Sequence, residues 1–254
     1  MSSSLEKRLS PYLPLTYHER DALDWLERRE RRIAAGEAVL EEDGPTDRLY
    51  VVGSGWLHSS VEVPGGGRQI LRFYFVGDLT TPCSIAWEYS AATLTAVSDC
   101  LLYEVTRPAL GRLFQEHPRL AAMLYGLSAA DHVAMCDRLA SVGRTDGMTR
   151  IATLLLDLRS RLRVVDGEDG ASFQLPLTQQ DLGDAVGLTK AHVNRSLKAW
   201  EETGLIVREG RMIRITDVAA LARRVGFRDR LGHVAIDWLP PTRRGDLHQP
   251  VAAE

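Results

Sequence analysis

The side chains best suited to chemistry in this chain are basic and amide groups gathered in one short run. Lys190, His192, Asn194, Arg195 and Lys198 fall within nine positions. If that run is helical, Val193, Leu197 and Trp200 share one face and leave Lys190, Ala191, His192, Asn194, Arg195 and Lys198 on the others. Guanidinium, ammonium and amide donors so arranged reach phosphate oxygens and base edges of double-stranded DNA. No Walker loop, paired metal motif, or serine or cysteine nucleophile with a recognisable partner accompanies them, so the chain is not read as an enzyme.

The elements needed to hold this face can be read on either side of it. Thr178, followed three residues later by Asp181, is an N-cap with an acid in the first turn. Leu182 and Val186 make one apolar face, and Gly187 ends the helix at a left-handed position. Gly183 is small where two helices would cross, and Thr189 caps the second helix. Two short helices joined by a tight glycine turn, spanning Thr178 to Glu202, have the helix-turn-helix geometry whose second helix enters the major groove. Gly204 to Ile215 reads as a hairpin turning at Glu209-Gly210, a wing behind the helix pair. The candidate DNA contacts are therefore Thr178, Gln179, Thr189, Lys190, Ala191, His192, Asn194, Arg195, Lys198, Arg208 and Arg211. The plain alternative is an ordinary helical pair with a solvated polar face.

Upstream the pattern changes twice. Asp21 to Ile33 reads as a helix interrupted by the cluster Arg28 to Arg32. From Glu37 to about Val105, short apolar runs alternate with turn residues: Val39-Leu40, Leu49 to Val52, Gly55 to Leu57, Ile70 to Val76, Ala92 to Val97 and Leu101 to Val105. Strands at this spacing suggest a β-sandwich or roll, with Pro64 to Gly67 a hairpin tip. From Pro118 to about Val142 the period is helical. Leu120, Met123, Leu127, Ala130 and Ala134 recur at three- and four-residue steps, a stripe that suits pairing with a second helix or packing on the roll. Gly143 to Gly147 breaks the pattern as a hinge, Met148 to Leu162 is a further amphipathic helix, and Val165 to Gly170 is a loop.

Composition fits this division. The 254 residues are 44% hydrophobic and 26% charged, which suits folded domains with their own cores. The net charge of −3 is uneven: residues 1–143 carry fourteen Lys/Arg against nineteen Asp/Glu, and residues 144–232 carry fifteen against twelve. A mildly basic half after an acidic one suits a nucleic-acid binder with a separate sensor. No apolar stretch is long enough to span a bilayer, so no membrane partner is expected. The start lacks an apolar signal core, and the expected location is cytoplasmic.

The segment 175–215 resembles the C-terminal domain of the Crp/Fnr family of bacterial regulators, particularly members with His-Val-Asn-Arg in the recognition helix. Asp47 to Gly55, Gly77-Asp78-Leu79 and the helix 118–142 resemble that family's cyclic-nucleotide-binding-like roll and dimerisation helix, for a coverage of about residues 15–225. The resemblance implies an α+β chain: an N-terminal β-roll of the jelly-roll (double-stranded β-helix) type, a long dimerisation helix and a C-terminal winged helix-turn-helix. The expected domains are a sensor at 15–115, a dimerisation helix at 116–143, a DNA-binding domain at 145–225 and a tail at 226–254. It further implies a homodimer on a palindromic site, Arg195 on a guanine in each half-site, and RNA polymerase as a partner if the protein activates. Ala191 stands where the best-known members have glutamate.

The effector is harder to read. Members that bind cyclic AMP use a Gly-Glu pair for the ribose and an Arg-Ser pair for the phosphate. Here Pro82 stands near the glutamate position, and Tyr89 to Leu94 offers no arginine. Burying a cyclic phosphate without a cation is costly, so cyclic AMP is not expected. The three cysteines, Cys83, Cys100 and Cys136, exclude a four-thiolate iron–sulfur cluster within one chain. His132 and Cys136, four apart on one helix face, leave haem or a metal open, and Cys83 is a candidate redox-sensitive thiol. No cofactor is otherwise evident.

Overall fold

The computed structural model describes residues 2–80, 85–166, 172–232 and 234–241. Its first half comprises α1 (Ser4–Leu9), α2 (Tyr17–Leu26), β1 (Glu30–Ile33), β2 (Ala38–Leu40), β3 (Arg48–Ser54), β4 (Leu57–Val63), β5 (Gly67–Tyr74), β6 (Thr93–Ala96) and β7 (Cys100–Thr106). The strands make two antiparallel sheets, β1-β7-β3 and β2-β6-β4-β5. Their inward residues, among them Tyr50, Val52, Leu57, Tyr74, Leu94 and Leu102, interdigitate as one core. This is the roll expected from the glycine-punctuated runs, with Pro64 to Gly67 at the β4–β5 hairpin tip as expected.

Several local readings need correction. The helix read at Asp21 to Ile33 breaks before its arginine cluster and does not resume after it. α2 starts at the Thr16 capping box and stops at Leu26, and the arginine cluster runs into β1, paired with β7. On β1 only Ile33 is buried, so an edge strand with outward arginines left no apolar alternation to detect. Gly55 and Trp56 form the turn between β3 and β4. Gly55 has φ +86°, and a Cβ there would lie 2.3 Å from the Asp99 carbonyl oxygen. The roll also extends before residue 15. Leu5, Leu9 and Leu13 are buried with Leu23, Leu49, Val105 and Leu110, so the boundary at 15 cuts through a core.

The second half begins with α3 (Arg107–Glu116), α4 (Pro118–Arg144) and α5 (Gly147–Asp166). Proline stands in the first turn of α3 and of α4, where its missing N–H costs nothing. The expected hinge shrinks to Thr145-Asp146: the Thr145 N–H closes α4 on Ser141, and Asp146 caps α5 by accepting from the Thr149 N–H at 2.7 Å. α5 runs past Leu162 to Asp166, and the expected loop at 167–170 lies outside the described residues, as do Pro82 and Cys83. The stripe chosen for dimerisation faces inward. Leu120, Met123 and Leu127 are buried in their own chain's core, Ala130 packs against it, and Ala134 lines an internal cavity. The most apolar stripe of a long helix is the one its own protomer uses.

β8 (Ser172–Gln174), α6 (Gln179–Val186), α7 (Lys190–Glu202), β9 (Ile206–Glu209), β10 (Met212–Ile215) and α8 (Val218–Val225) complete the chain. β8 joins the wing to give the sheet β8-β10-β9, and α8 buries Leu221 against α5. The chain beyond α8 is held as well: Asp229 accepts from the Ser160 hydroxyl at 2.5 Å and pairs with Arg163, while Arg230 pairs with Asp137 at 2.7 Å. A domain end at 225 therefore falls short of packed residues.

The two halves share a core. Ile70, Phe73 and Phe75 of the roll are buried with Leu155, Leu158, Leu182, Val186 and Leu197. A bulge makes this possible. Register along β4–β5 slips between Ser59 and Ser60, so Leu71 has no partner and Ile70 turns to the same outer side as Phe73. The carbonyls freed there need donors. Arg138 of α4 donates to Leu71 at 2.5 Å and Ile70 at 2.6 Å, and also to Ala185 of α6. One side chain thus bolts roll, long helix and C-terminal half together.

Candidate nucleic-acid interface

α6 opens with a reciprocal capping box: the Thr178 hydroxyl accepts from the Asp181 N–H, and the Asp181 carboxylate accepts from the Thr178 N–H at 2.8 Å. Gly187 ends it with φ +68°. Gly183 sits where a Cβ would meet the Leu188 carbonyl oxygen at 2.4 Å, so only glycine lets the turn close this tightly. Thr189 caps α7 by accepting from the His192 N–H. Val193, Leu197 and Trp200 are buried, and the Trp200 indole N–H donates to the Met148 carbonyl at 2.7 Å, fixing α7 on α5.

This anchoring leaves Lys190, Ala191, His192, Arg195 and Lys198 exposed on one side of α7, together with the Thr189 cap. None of Lys190, Arg195 and Lys198 has a carboxylate partner among the described residues. The other candidates divide. Asn194 is half-buried, and its amide oxygen lies 3.5 Å from the Gln179 amide nitrogen, tying α7 to α6. The His192 ring lies 2.9 Å from the Thr189 hydroxyl, so it supports the cap. The Thr178 hydroxyl is taken up by Asp181. Arg208 makes a two-pronged ion pair with Glu201 at 2.7 and 2.9 Å, which holds the Glu201 carboxyl below the usual range and pins β9 to α7. Arg211 is exposed at the hairpin turn.

Sequence reasoning missed the residues that present α6. Arg68 of β5 reaches Asp181 at 2.5 Å and Asp184 at 2.7 Å, and Gln69 donates to the Asp184 carbonyl at 2.7 Å. The same guanidinium lies 3.2 Å from His58 Nε2. Burial, then the Arg68 charge, push the His58 imidazole down to about 4. More than a hundred residues separate Arg68 and Gln69 from their α6 partners, so no local spacing could reveal them. On α4, His132 and Cys136 face solvent with Nε2 and Sγ 3.9 Å apart. Among the described residues no group of three or more histidine, cysteine or acidic side chains could hold a metal.

Residues 149–224 match the family model of the Crp-like helix-turn-helix domain, and residues 30–117 match that of the cyclic nucleotide-binding domain. The nitrogen fixation regulation protein FixK of Azorhizobium caulinodans is 30% identical over 194 residues, 75% of this chain and 76% of that protein. The fumarate and nitrate reduction regulatory protein of Escherichia coli K12 is 26% identical over 212 residues, 84% of each chain. Among solved structures, FixK2 of Bradyrhizobium japonicum superposes with a TM-score of 0.68 at 27% identity, covering 76% of this chain and 95% of that one. The exposed cationic face of α7, its glycine turn, the wing and the roll thus meet in one established combination: the chain belongs to the Crp/Fnr family of DNA-binding transcription regulators.

Proposed function

We propose that this chain binds a two-fold-symmetric promoter site as a homodimer, with Arg195 reading a guanine in each half-site. The observation that carries the reading is the solvent-facing row Lys190, Arg195 and Lys198 on a helix whose opposite face is fully buried. Arg195 suits the paired acceptors of guanine, Lys190 and Lys198 suit phosphates, and Arg211 on the wing can reach the backbone. Asn194 and Arg208, engaged within the protein, act by setting the pose of α7.

The seam of the dimer is a second stripe of α4, next to the inward one. Tyr125, Ala129, His132, Cys136 and Leu139 follow at alternating four- and three-residue steps; Tyr125 is 73% and Leu139 75% exposed. That spacing is the seam of a two-stranded coiled coil. The protein acts in the cytoplasm without a catalytic step, does not respond to cyclic AMP, and touches RNA polymerase where it activates. Indifference to cyclic AMP follows from the residue types at 82 and 89–94.

Selection of binding sites from a randomised pool tests the reading. The expected product is an inverted repeat with half-site centres about 34 Å apart. Arg195→Ala should weaken binding by about 1–3 kcal/mol per lost base contact and relax the choice of guanine, with the melting temperature unchanged. An asymmetric site, or a silent Arg195→Ala, overturns it.

A further inference from the structure

A cavity of about 460 Å³ lies where the roll, α4, α5 and the chain beyond α8 meet. This volume is of the size that encloses small organic ligands. Its apolar wall includes Phe73, Leu154, Val186 and Phe227, drawn from both halves of the molecule. Its charge is lopsided, with seven arginines against three aspartates. Each aspartate already has a cation: Asp131 lies 2.9 Å from Arg72, Asp137 2.7 Å from Arg230, and Asp157 3.9 Å from Arg161. Arg138, Arg144, Arg150 and Arg228 are left without a carboxylate partner among the described residues.

Two of these four are half-buried. Arg138 donates only to backbone carbonyls, and burial pushes its guanidinium down from the ordinary value. Arg150 donates to the Thr145 and Val186 carbonyls. Carbonyl dipoles satisfy their hydrogen bonds, and the carboxylate that acts on Arg138, Asp157, is shared with Arg161 and Arg72, so positive charge stays in excess until an anion arrives. Arg144 and Arg228 stand exposed at the rim. None of the α7 residues assigned to DNA lines this space.

We infer that the cavity is a binding site for a small multiply charged anion with an apolar part, a polycarboxylate or a phosphorylated metabolite. Its occupant touches Phe73 of the roll, Val186 of α6 and Phe227 beyond α8, and so stabilises the docked arrangement of the two halves. Only the regulatory consequence rests on the reading of the chain as a DNA-binding regulator; the binding itself does not.

Citrate and pyrophosphate serve as probes in thermal melts of the full chain, against potassium chloride at matched ionic strength. The expected result is a saturable rise, about 5 °C or more at a hundredfold excess over Kd, with one site per chain by calorimetry. Response to citrate alone assigns the polycarboxylate class, and response to pyrophosphate alone the phosphorylated class. The rise should vanish in Arg144→Gln/Arg228→Gln, whose side chains make no hydrogen bond or ion pair among the described residues, and weaken in Ala134→Phe, which narrows the cavity. It should survive in Lys190→Ala/Arg195→Ala/Lys198→Ala. No rise beyond the chloride control with either probe overturns the proposal, as does a rise that follows the α7 variant instead. Gel shifts without probe separate the two readings: DNA binding with no probe response sinks the cavity alone, and a saturable probe response without DNA binding sinks the regulator reading alone.

Discussion

Among the described residues, ion pairs tie the roll to the elements after α4 at an inner and an outer place. Deep in the molecule Asp78 lies between Arg161 of α5, at 2.7 Å, and Arg8 of α1, at 3.5 Å, with all three side chains at most 5% exposed. Asp78 also accepts from the Phe75 N–H, and Arg161 donates to the Phe73 carbonyl and lies over the Phe75 ring. Near the surface Arg68, 37% exposed, pairs with Asp181 and Asp184 of α6, and neutral His58 stands beside it. The inner link fixes the C-terminal part of α5 against the roll. The outer one clasps the helix that positions the reading helix, in a setting that water and salt can reach. A rigid root and a releasable tip are what a sensor needs if it is to change the pose of a DNA-reading element.

The largest effect should come from the inner link. Asp78→Asn leaves buried Arg8 without its carboxylate and Arg161 with only Asp157, at 3.9 Å, and breaking such a link by one partner costs about 3–5 kcal/mol. Chemical denaturation should show that loss, with little dependence on salt. A loss below about 1 kcal/mol would place the inner link in the same class as the outer.

Acid should separate the two links next. The His58 imidazole titrates at about 4 in the fold against an ordinary value of 6.5. The unfolded chain therefore takes up the proton first, so stability is complete above about pH 6.5 and falls as pH drops towards 4. A gap of one pH unit between folded and unfolded titration is worth about 1.4 kcal/mol, so this window holds up to about 3 kcal/mol. The Asp78 carboxyl is held below its ordinary range by Arg161 and Arg8, against the opposing effect of burial. Its contribution is present above about pH 4 and is lost only below. His58→Gln should flatten the upper window and leave the lower one. A single transition below pH 4 in the wild type would merge what the structure separates.

Which parts were legible from sequence follows the same division between local and distant causes. The helix-turn-helix was readable because Thr178, Asp181, Gly187 and Thr189 act within three or four residues of themselves. Arg195 and its neighbours could be placed because the apolar spacing of Val193, Leu197 and Trp200 marks the buried face of α7. α1 was missed because six residues carry too little periodicity, although Leu5 and Leu9 are fully enclosed by residues of the roll. That Leu120, Met123 and Leu127 of α4 pack into their own chain's core was not legible, because a single sequence does not say which of two stripes meets that core. The pairing of Arg208 with Glu201 was not legible, since the two stand on different elements, β9 and α7. Arg138 gave no signal at all, since its partners are carbonyls made available by a bulge at Leu71.

The smallest expected effect concerns the outer clasp, and it tests the contrast most finely. Arg68 is more than a third exposed, so its attraction to Asp184 is screened, and surface pairs of this kind contribute about 0.2–1 kcal/mol. A double-mutant cycle with Arg68→Gln and Asp184→Asn isolates the pair, and Asp181 is left intact because it also caps α6. The coupling should shrink by at least half between about 0.1 and 1 M salt, where the screening length falls from about 10 to 3 Å. Asp78 and Arg161, put through the same cycle, should show no such dependence. Hydrogen exchange should also rise at the amides of α6 in Arg68→Gln while those of α5 beside Asp78 stay protected, because local opening follows the local link. A coupling above about 2 kcal/mol that ignores salt, or exchange that rises equally in α5 and α6, would mean that the clasp is as rigid as the root. The DNA-reading helix would then have no separate freedom for a ligand to control.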